Sequence, residues 1–392
     1  MDEKYILQEV KDKKTVKRFL DFPETLYTKE KNWIRPLDDD IEKIFDPKRN
    51  KSFRNGKAMR WILVDRNNEV KGRVAAFYNS KSANKNDQPT GGMGFFDCIN
   101  NQDAADILFD ASKNWLKSEG MEAMDGPISF SSRDNFWGCL SDGFYEPIYN
   151  MPYNHPYYID LFTNYGYKNY FNQFTYHLPL IVGNLKPAIV EKANRLKRDP
   201  NYTFTIYNRR DRDKFALDFM EIFNKAWAKF PGVQPFRKAS AIALFHSLKS
   251  IIEPKLLIYT YYKNSPIAFF IMIPDLYQII RKFHGKFHLI NKLRLIYHVR
   301  MKKTCTRAIG LIFGVIPEFQ GKGVAESMVK FFEDEVNVGI KYTDLEMNWI
   351  GDFNPSMMKL SEQVGGSIRK THITYRYLFD RKKEFKRAKT LS

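Results

Sequence analysis

Cysteine is scarce in this sequence, and long apolar runs are missing from it. Cys98, Cys139 and Cys305 are an odd number at wide spacings, and no Cys-x-x-Cys pair occurs. That pattern argues against a disulfide framework or a structural zinc site and favours a reducing compartment. No apolar run approaches the roughly 18 residues of a membrane-spanning helix. The start, Met1-Asp2-Glu3-Lys4, carries three charged residues and lacks a secretory apolar core. We therefore expect a cytoplasmic protein.

Acidic residues are also missing from one segment, residues 276–307, which carries nine Lys or Arg and no Asp or Glu. Residues 381–392 add a net +5, so two short segments hold fourteen of the eighteen net positive charges of the chain. His284 and His288 lie in the first segment at a spacing of four, but Gly285 interrupts the helix and no carboxylate is near. We therefore predict surface histidines and no metal site.

The most informative motif is the eleven-residue string from Val315 to Ala325. It follows an apolar run, 308–315, that predicts a buried strand, and it leads into a helical pattern over 326–335. Gly321 and Gly323 stand in the turn between them. A glycine-bearing turn at a helix N-terminus presents backbone N–H groups to a phosphate, although two glycines alone are equally consistent with an ordinary turn.

The complete string, Val-x-Pro-x-x-Gln-Gly-x-Gly-x-Ala, resembles the acyl-CoA pyrophosphate loop of the GNAT (GCN5-related N-acetyltransferase) superfamily. A strand pattern over 343–350, a short helix after Asn354, a Gly365-Gly366 pair and a strand pattern over 371–379 follow in the family's order. The resemblance spans about residues 202–379. It implies a mixed α/β fold and acyl-CoA or acetyl-CoA as co-substrate. The residues that it assigns to CoA are Gly314, Val315, Gln320, Gly321, Lys322, Gly323, Val324, Ala325 and Asn354.

Part of this order recurs at an offset of 199 residues. The segment 156–161 precedes 355–360 at that offset, Gly166 matches Gly365, and Thr175-Tyr176 matches Thr374-Tyr375. Hairpin patterns occur in both halves, about Asn67-Asn68 and about 264–266. In the earlier half, however, Asn100-Asn101-Gln102-Asp103 stands where the later half has its glycines, and such a turn cannot cradle a pyrophosphate.

The chain is therefore predicted to contain two tandem GNAT-like units, each a mostly antiparallel mixed sheet flanked by helices, in the α/β (α+β) class. The predicted boundaries are 1–180 for a degenerate unit, 181–201 for a linker with a lead-in helix, and 202–380 for the unit that binds acyl-CoA. Residues 381–392 form a basic tail. One acyl-CoA per chain is expected.

Acyl transfer to an amine needs a base for the amine proton, a donor for the acyl oxygen and a proton for the leaving thiolate. Glu346 and Asn348 alternate along one strand and share a face, so Glu346 is predicted as the base, with a structural carboxylate as the alternative and Asp344 as the substitute. By resemblance, Gly314 or Val315 donates to the acyl oxygen. The family's tyrosine position holds Ser361, so either a residue such as Tyr375 or Tyr377 supplies the proton or the thiolate departs unassisted.

Two features bear on the acceptor. Apolar residues interleave with the cations of 276–307, as in an interfacial amphipathic helix at an anionic membrane, or as in a packed insertion with solvated cations. An aromatic loop over 135–158 is typical of either a groove cover or domain packing. In its Gly126-Pro127 and Gly143-Phe144 region, its basic insertion, and the string 346–350 followed by Asn354, the chain resembles a bacterial group of two-unit GNAT proteins. That group is linked to N-acylation of lipid amines and includes ceramide synthases.

Three functions stay open from the sequence. The first is an acyl-CoA-dependent N-acyltransferase acting on a small amine or on a lipid amine such as a sphingoid base, peripheral on the inner face of the membrane. The second is a tandem-GNAT aminoacyl transferase that uses charged tRNA, which would leave the pyrophosphate loop without purpose and makes nucleic acid an unlikely partner. The third is a non-catalytic acyl-CoA-binding module.

Overall fold

The computed structural model describes residues 4–84, 87–131, 133, 135–181, 183, 185–227, 235–336 and 341–390. Their strands form one continuous sheet of thirteen strands, flanked by helices on its faces. The predicted fold class is confirmed. The first unit and the second unit denote the predicted residues 1–180 and 202–380, and those boundaries stay predictions.

The first unit contributes strands β1 to β7 and helices α1 to α5. The strands are β1 Tyr5–Glu9, β2 Gly56–Asp65, β3 Val70–Asn79, β4 Thr90–Cys98, β5 Ala123–Gly126, β6 Cys139–Asp142 and β7 Lys168–Pro179. The helices are α1 Lys13–Leu26, α2 Asp38–Phe45, α3 Ser80–Ala83, α4 Gln102–Ser118 and α5 Tyr158–Tyr165. The predicted hairpin is β2–β3, and its turn places Asn68 in the left-handed conformation with φ 59°.

Helix α6, Pro187–Lys197, connects the units, and the second unit supplies the remaining elements. Its strands are β8 Tyr202–Ile206, β9 Leu257–Tyr262, β10 Ser265–Pro274, β11 Arg307–Val315, β12 Asp344–Gly351 and β13 Ser367–Leu378. Its helices are α7 Arg212–Ala226, α8 Lys238–Leu248, α9 Tyr277–Ile280, α10 Leu289–Tyr297, α11 Val324–Phe331 and α12 Pro355–Gln363. The strand, helix and strand predicted around the glycine loop are β11, α11 and β12.

The two units share the centre of the sheet by exchanging their last strands. The strand order is β1-β2-β3-β4-β5-β13-β7-β12-β11-β10-β9-β8. Strand β13, the end of the second unit, therefore pairs with β5 of the first, and β7 pairs with β12 of the second. Each exchanged strand also contributes to the core of the other unit. Tyr375 of β13 packs in the core of the first unit, and Leu178 of β7 packs in that of the second.

The 199-residue offset is visible in the structure. Strands β7 and β13 begin and end 199 positions apart. Gly166 and Gly365 follow their helices in the left-handed conformation, with φ 104° and 92°, where a side chain would be strained. The exchanged strands are thus equivalent parts of the two copies, which supports the predicted duplication.

The basic segment 276–307 divides into two parts. Its first part, which includes α9, is buried in the second-unit core through Leu276, Ile279, Ile280 and Phe283. Its second part, α10 and a wider helical turn over 298–302, presents large apolar side chains to solvent. The sequence allowed either a packed insertion or an exposed amphipathic helix. The first part is a packed insertion, and the second part is amphipathic and exposed. Among the described residues, no helix is long and apolar enough to cross a membrane.

Candidate active site

The glycine loop joins β11 to α11 and lies open at its tip. Gly321 and Gly323 have φ of 72° and 90°, which glycine adopts without strain, and no atom lies within 4 Å of the position that a Cβ would take at Gly321. The Gln320 side-chain amide donates to the Val315 carbonyl at 2.9 Å and closes the loop over the strand end. The first turn of α11 leaves backbone N–H groups without helical acceptors, so this opening suits a phosphate group.

The other predicted loop residues lie around this opening. Val324 is buried in the second-unit core, Ala325 packs at its edge, and the Lys322 ammonium lies 5.2 Å from the centre of the Phe319 ring. Gly314 lies under Phe269, where a Cβ would come within 3.0 Å of the ring. A side chain at position 314 would therefore press on the Phe269 ring, whatever the backbone does for a ligand.

Helix α6 of the linker packs against α11 beside the loop. The Lys192 ammonium pairs with Glu326 at 2.7 Å, and a Cβ at Gly323 would lie 3.9 Å from a terminal guanidinium nitrogen of Arg195. Arg195 is exposed and brings a positive charge to the mouth of the loop. Arg195 could not be predicted from the sequence, because nothing in the local pattern of the linker shows which surface α6 packs against.

Strands β11 and β12 run parallel for four residues and then part. Their last paired residues are Gly310 and Met347, after which β11 continues beside β10 only. Asn348 and Trp349 follow in a bulge that also interrupts the pairing of β12 with β7. Beyond Gly310, the backbone N–H and C=O groups of β11 that face β12 therefore have no strand partner and could bind a ligand. The resemblance implies that the acyl carbonyl binds there, near Val315.

The equivalent gap in the first unit is filled. Strands β4 and β5 also pair in parallel, over Thr90 to Gly92, and then part. There the Ile128 N–H donates to the Met93 carbonyl at 2.7 Å, and a Cβ at Gly94 would lie 1.8 Å from the Ile128 oxygen. The chain itself occupies the space that the second unit leaves open.

One face of β12 looks toward α12. Asn354 caps that helix by accepting from the Met357 N–H at 3.3 Å, which is the structural role that its sequence allowed. Ser361 is buried, and its hydroxyl donates to the Met357 carbonyl at 2.9 Å and contacts the Met347 sulfur at 3.7 Å. Tyr176 of β7 is the strand partner of Met347, and its hydroxyl donates to Glu362 at 3.5 Å.

Tyr176 thus stands next to the helix that carries Ser361, although it comes from the first unit. Burial raises the pKa of Tyr176 to about 12, with Glu362 adding to the shift. The sequence signal for this residue was the match between Thr175-Tyr176 and Thr374-Tyr375. Tyr375 itself is buried in the first-unit core, stacked on Phe162 at 5.1 Å, and burial raises its pKa.

The opposite face of β12 carries Glu346, which is fully buried. Its Oε1 accepts from the Lys370 ammonium, and its Oε2 lies 3.6 Å from the Arg369 Nε. Neither that Oε2 nor the Arg369 Nε has a hydrogen-bond partner among the described residues. A buried carboxylate oxygen without a donor is costly unless a ligand or water meets it, so this oxygen lacks the partner that a buried carboxylate normally has.

A second buried ion pair lies on the same face. The Arg307 guanidinium donates to Asp275 at 2.8 Å. Burial raises the pKa of Asp275 to about 6 against the opposing effect of Arg307, and burial lowers the pKa of Lys370 despite its contact with Glu346. Together Glu346, Lys370, Arg369, Arg307 and Asp275 form the polar cluster of the site.

Asp344 lies two residues before Glu346 on the same strand, whereas Asn348, predicted to share its face, lies in the bulge after Met347. His177 of β7 contacts the Asp344 carboxylate at 2.6 Å. Burial acts to raise the pKa of Asp344, but hydrogen bonds from Thr343 and His177 hold it below its usual value. Asn348 is half-buried, and its side-chain oxygen accepts from the Trp349 N–H at 3.0 Å.

The aromatic loop of the first unit covers the polar cluster. Ile148 and Met151 pack on Ile273 and Ile309, and Ile309 is the strand partner of Glu346. The Arg369 guanidinium lies 4.4 Å from the Tyr145 ring centre, and Glu146 contacts Arg281. The first unit therefore forms one wall of the site. This placement is consistent with both roles predicted for the loop, a groove cover and domain packing.

No known family model matches the chain. Two curated proteins match along almost their whole length. One is Protein YghO of Escherichia coli (strain K12), 24% identical over 372 residues, which cover 93% of each chain. The other is a bacterial ceramide synthase of Caulobacter vibrioides (strain NA1000 / CB15N), 26% identical over 376 residues, which cover 93% of this chain and 95% of that protein.

Solved structures of GNAT proteins share the fold. A tandem GNAT protein from the clavulanic acid biosynthesis pathway superposes with a TM-score of 0.53 at 9% identity, covering 96% of this chain and 98% of its own. A GCN5-related N-acetyltransferase from Sphaerobacter thermophilus gives 0.53 at 8% identity, with 97% of each chain covered. The glucosamine N-acetyltransferase region of a fungal multi-domain β-N-acetylglucosaminidase gives 0.57 at 10% identity, covering 95% of this chain and 38% of that longer one.

Proposed function

We propose that this chain, which has the tandem GNAT fold, is an acyl-CoA-dependent N-acyltransferase that forms an amide on a primary amine. The observation that carries the proposal is the open glycine loop at the N-terminus of α11, adjoining the gap where β11 and β12 part. A phosphate and an extended thioester arm fit such a loop and gap, and the filled gap of the first unit supports one acyl-CoA per chain.

Acyl-CoA supplies the acyl group as an activated thioester. The transfer forms the amide C–N bond and breaks the C–S bond, while the amine gives up a proton and the thiolate takes one up. The backbone N–H group of Gly314 or Val315 is the proposed donor to the acyl oxygen. Glu346 accepts the amine proton through its unpartnered Oε2, with Asp344 as the substitute, and Asn348 orients the amine.

Three tyrosines are candidates for donating the proton to the leaving thiolate. Tyr375 and Tyr377 follow from the sequence, and Tyr176 follows from the strand exchange, because its hydroxyl adjoins α12 on the face of Met347 and Ser361. We favour Tyr176, since the resemblance assigns this proton to a tyrosine on α12, at the position that Ser361 holds here.

For the acceptor we propose a long-chain lipid amine such as a sphingoid base. The matching ceramide synthase, aligned along nearly the whole chain, supports this class, and the exposed apolar and basic helix α10 supports action at a membrane surface. The basic tail is a weaker candidate for lipid contact, because Arg387 pairs with Asp352 and Lys383 with Glu122.

The test is thiol release from acyl-CoA of different chain lengths, with either a sphingoid base or a short water-soluble amine present. We expect long-chain thioesters with the sphingoid base to react fastest and the product to be an amide by mass spectrometry. CoA binding without thiol release for any amine would replace this function by a binding module. Absence of CoA binding would overturn it.

A further inference from the structure

Helix α10 and the turn that follows it have an apolar side that no other part of the described chain covers. Leu289, Ile290, Leu293 and Met301 are 70%, 59%, 59% and 74% exposed, and Ile296 and Tyr297 are exposed beside them. Six of the twelve large apolar side chains that are exposed in the described residues therefore fall within 289–302. A concentration of this kind marks an interaction surface.

The helix is already attached to the protein by its other side. Asn291, Leu295 and Val299 are buried at helical spacing, and Leu295 and Val299 belong to the second-unit core. The six exposed residues recur at spacings of one, three and four along the same helix, so they form one stripe directed away from that core. A fold that only needed to hold α10 in place would require apolar residues on one side alone.

Cations surround this stripe. Lys292, Arg294, Arg300 and Lys302 are exposed along the same fourteen residues, and exposed Lys303 follows them. No acidic residue lies between 276 and 307. The nearest acids of the first unit are already engaged, since Asp38 contacts Arg35 and Lys286, and Asp39 is held by Arg49. The surface is thus apolar at its centre and positive around it.

We infer that α10, with residues 298–302, inserts its apolar side into an anionic lipid leaflet. Long cationic side chains beside an apolar stripe reach lipid headgroups while the stripe enters the acyl region. A second copy of this chain fits less well, because two such surfaces would bring ten or so cations together without an acid between them. The inference does not depend on the acyl chemistry, but it would bring a lipid acceptor to the site.

The experiment is co-sedimentation of the full chain with vesicles of phosphatidylglycerol and phosphatidylcholine, compared with vesicles of phosphatidylcholine alone. We expect binding at least about tenfold tighter to the anionic vesicles, and only partial release when salt rises from about 0.1 M to about 0.5 M, because inserted apolar groups are not screened. Equal binding to both vesicles, or none to either, would overturn the inference.

Two matched double variants test whether vesicle binding depends on α10 or on exposed apolar residues anywhere on the surface. Leu289→Glu with Leu293→Glu places charges in the stripe and is expected to lower vesicle binding more than about tenfold. Ile6→Glu with Ile368→Glu changes two exposed apolar residues on strands β1 and β13 and is expected to leave binding unchanged. Equal loss in both double variants, or no loss in the first, would overturn the inference.

Two further readouts keep the outcomes distinct. CoA affinity is expected to be the same in the Leu289→Glu, Leu293→Glu variant as in the unchanged chain, so loss of vesicle binding cannot be confused with failure of the proposed function. Light scattering without lipid is expected to give a monomer for both. A dimer that the double variant abolishes would assign the stripe to self-association instead.

Discussion

Tyr176, on the last strand of the first unit, is the strand partner of Met347 at the point where the second unit's sheet parts. Its equivalent at the 199-residue offset, Tyr375, lies in the first-unit core. Each copy therefore completes the other, and the tyrosine beside the candidate acyl site comes from the copy that has no phosphate loop.

The first prediction compares these two hydroxyls. Tyr176→Phe is expected to slow thiol release about tenfold or more, because it removes the hydroxyl next to α12, whereas Tyr375→Phe is expected to change it less than about twofold. The measurement is single-turnover thiol release, with the thermal midpoint as a check on folding. A larger loss of rate in Tyr375→Phe than in Tyr176→Phe would instead assign the proton donor to Tyr375.

The second prediction concerns the phosphate loop. Gly321→Glu is expected to weaken CoA binding by about 100-fold or more, because it adds a negative charge where phosphate must approach the backbone N–H groups. Gly120→Glu is the matched control, since Gly120 also has positive φ, 83°, and open space around its Cβ position. Calorimetry measures both variants, and similar weakening in the two would contradict a specific phosphate site.

The third prediction concerns the linker helix. Arg195→Ala is expected to weaken CoA binding about five- to tenfold and to reduce its salt dependence, because a guanidinium at the loop mouth attracts phosphate. Lys197→Ala removes an exposed cation from the same helix and serves as control. If both variants bind CoA as the unchanged chain does, α6 packs on the loop without contributing to binding.

The fourth prediction separates chemistry from stability at Glu346. Glu346→Gln is expected to lower kcat about 100-fold and to destabilise the fold by about 3 kcal/mol, since it leaves the Lys370 ammonium buried and unpaired. Adding Lys370→Met removes that charge and is expected to restore the thermal midpoint without restoring kcat. Recovery of kcat in the double variant would show that the carboxylate is structural.

The fifth prediction concerns acid stability. Burial lowers the pKa of His372 to about 4 from an ordinary 6.5, and His372 donates to the Pro152 carbonyl at 3.2 Å. Between these pKa values the unfolded chain binds a proton that the folded chain does not, so stability falls as the pH falls through this window. The loss approaches about 3 kcal/mol at pH 4.

His372→Gln is expected to remove that part of the pH dependence, because its amide does not titrate. Urea unfolding at several pH values between 4 and 7 measures the difference between the two chains. Carboxylates elsewhere affect both chains alike. If the free energy of unfolding falls with pH equally steeply in both chains, the assignment to His372 is wrong.

The second unit could be predicted in detail from sequence because its signals are local. The apolar run of β11, the glycines of the loop and the helical spacing of α11 lie within about thirty residues, and the structure has all three where they were predicted. The alternation of Glu346 and Asn348 likewise predicted that the two residues share one face of β12. Their roles in catalysis stay predictions.

What could not be predicted depends on contacts between residues distant in the chain. Nothing local to Lys370 or Arg369 indicates that they meet Glu346, and the linker sequence does not reveal that Arg195 lies beside Gly323. The segment 276–307 also reads as one amphipathic stretch, yet only the core decides that Phe283 is buried and Leu293 exposed.

The sequence by itself determined the fold class, the duplication and the glycine loop, because strand alternation, helical spacing and glycine's freedom at positive φ act over neighbouring residues. Only the tertiary structure decided which copy supplies each wall of the site. Strands β7 and β13 carry matching residues, so local pattern cannot tell which should lie beside β12. The connections and packing of the whole sheet made that choice, and they brought Tyr176 to the second unit and Tyr375 to the first.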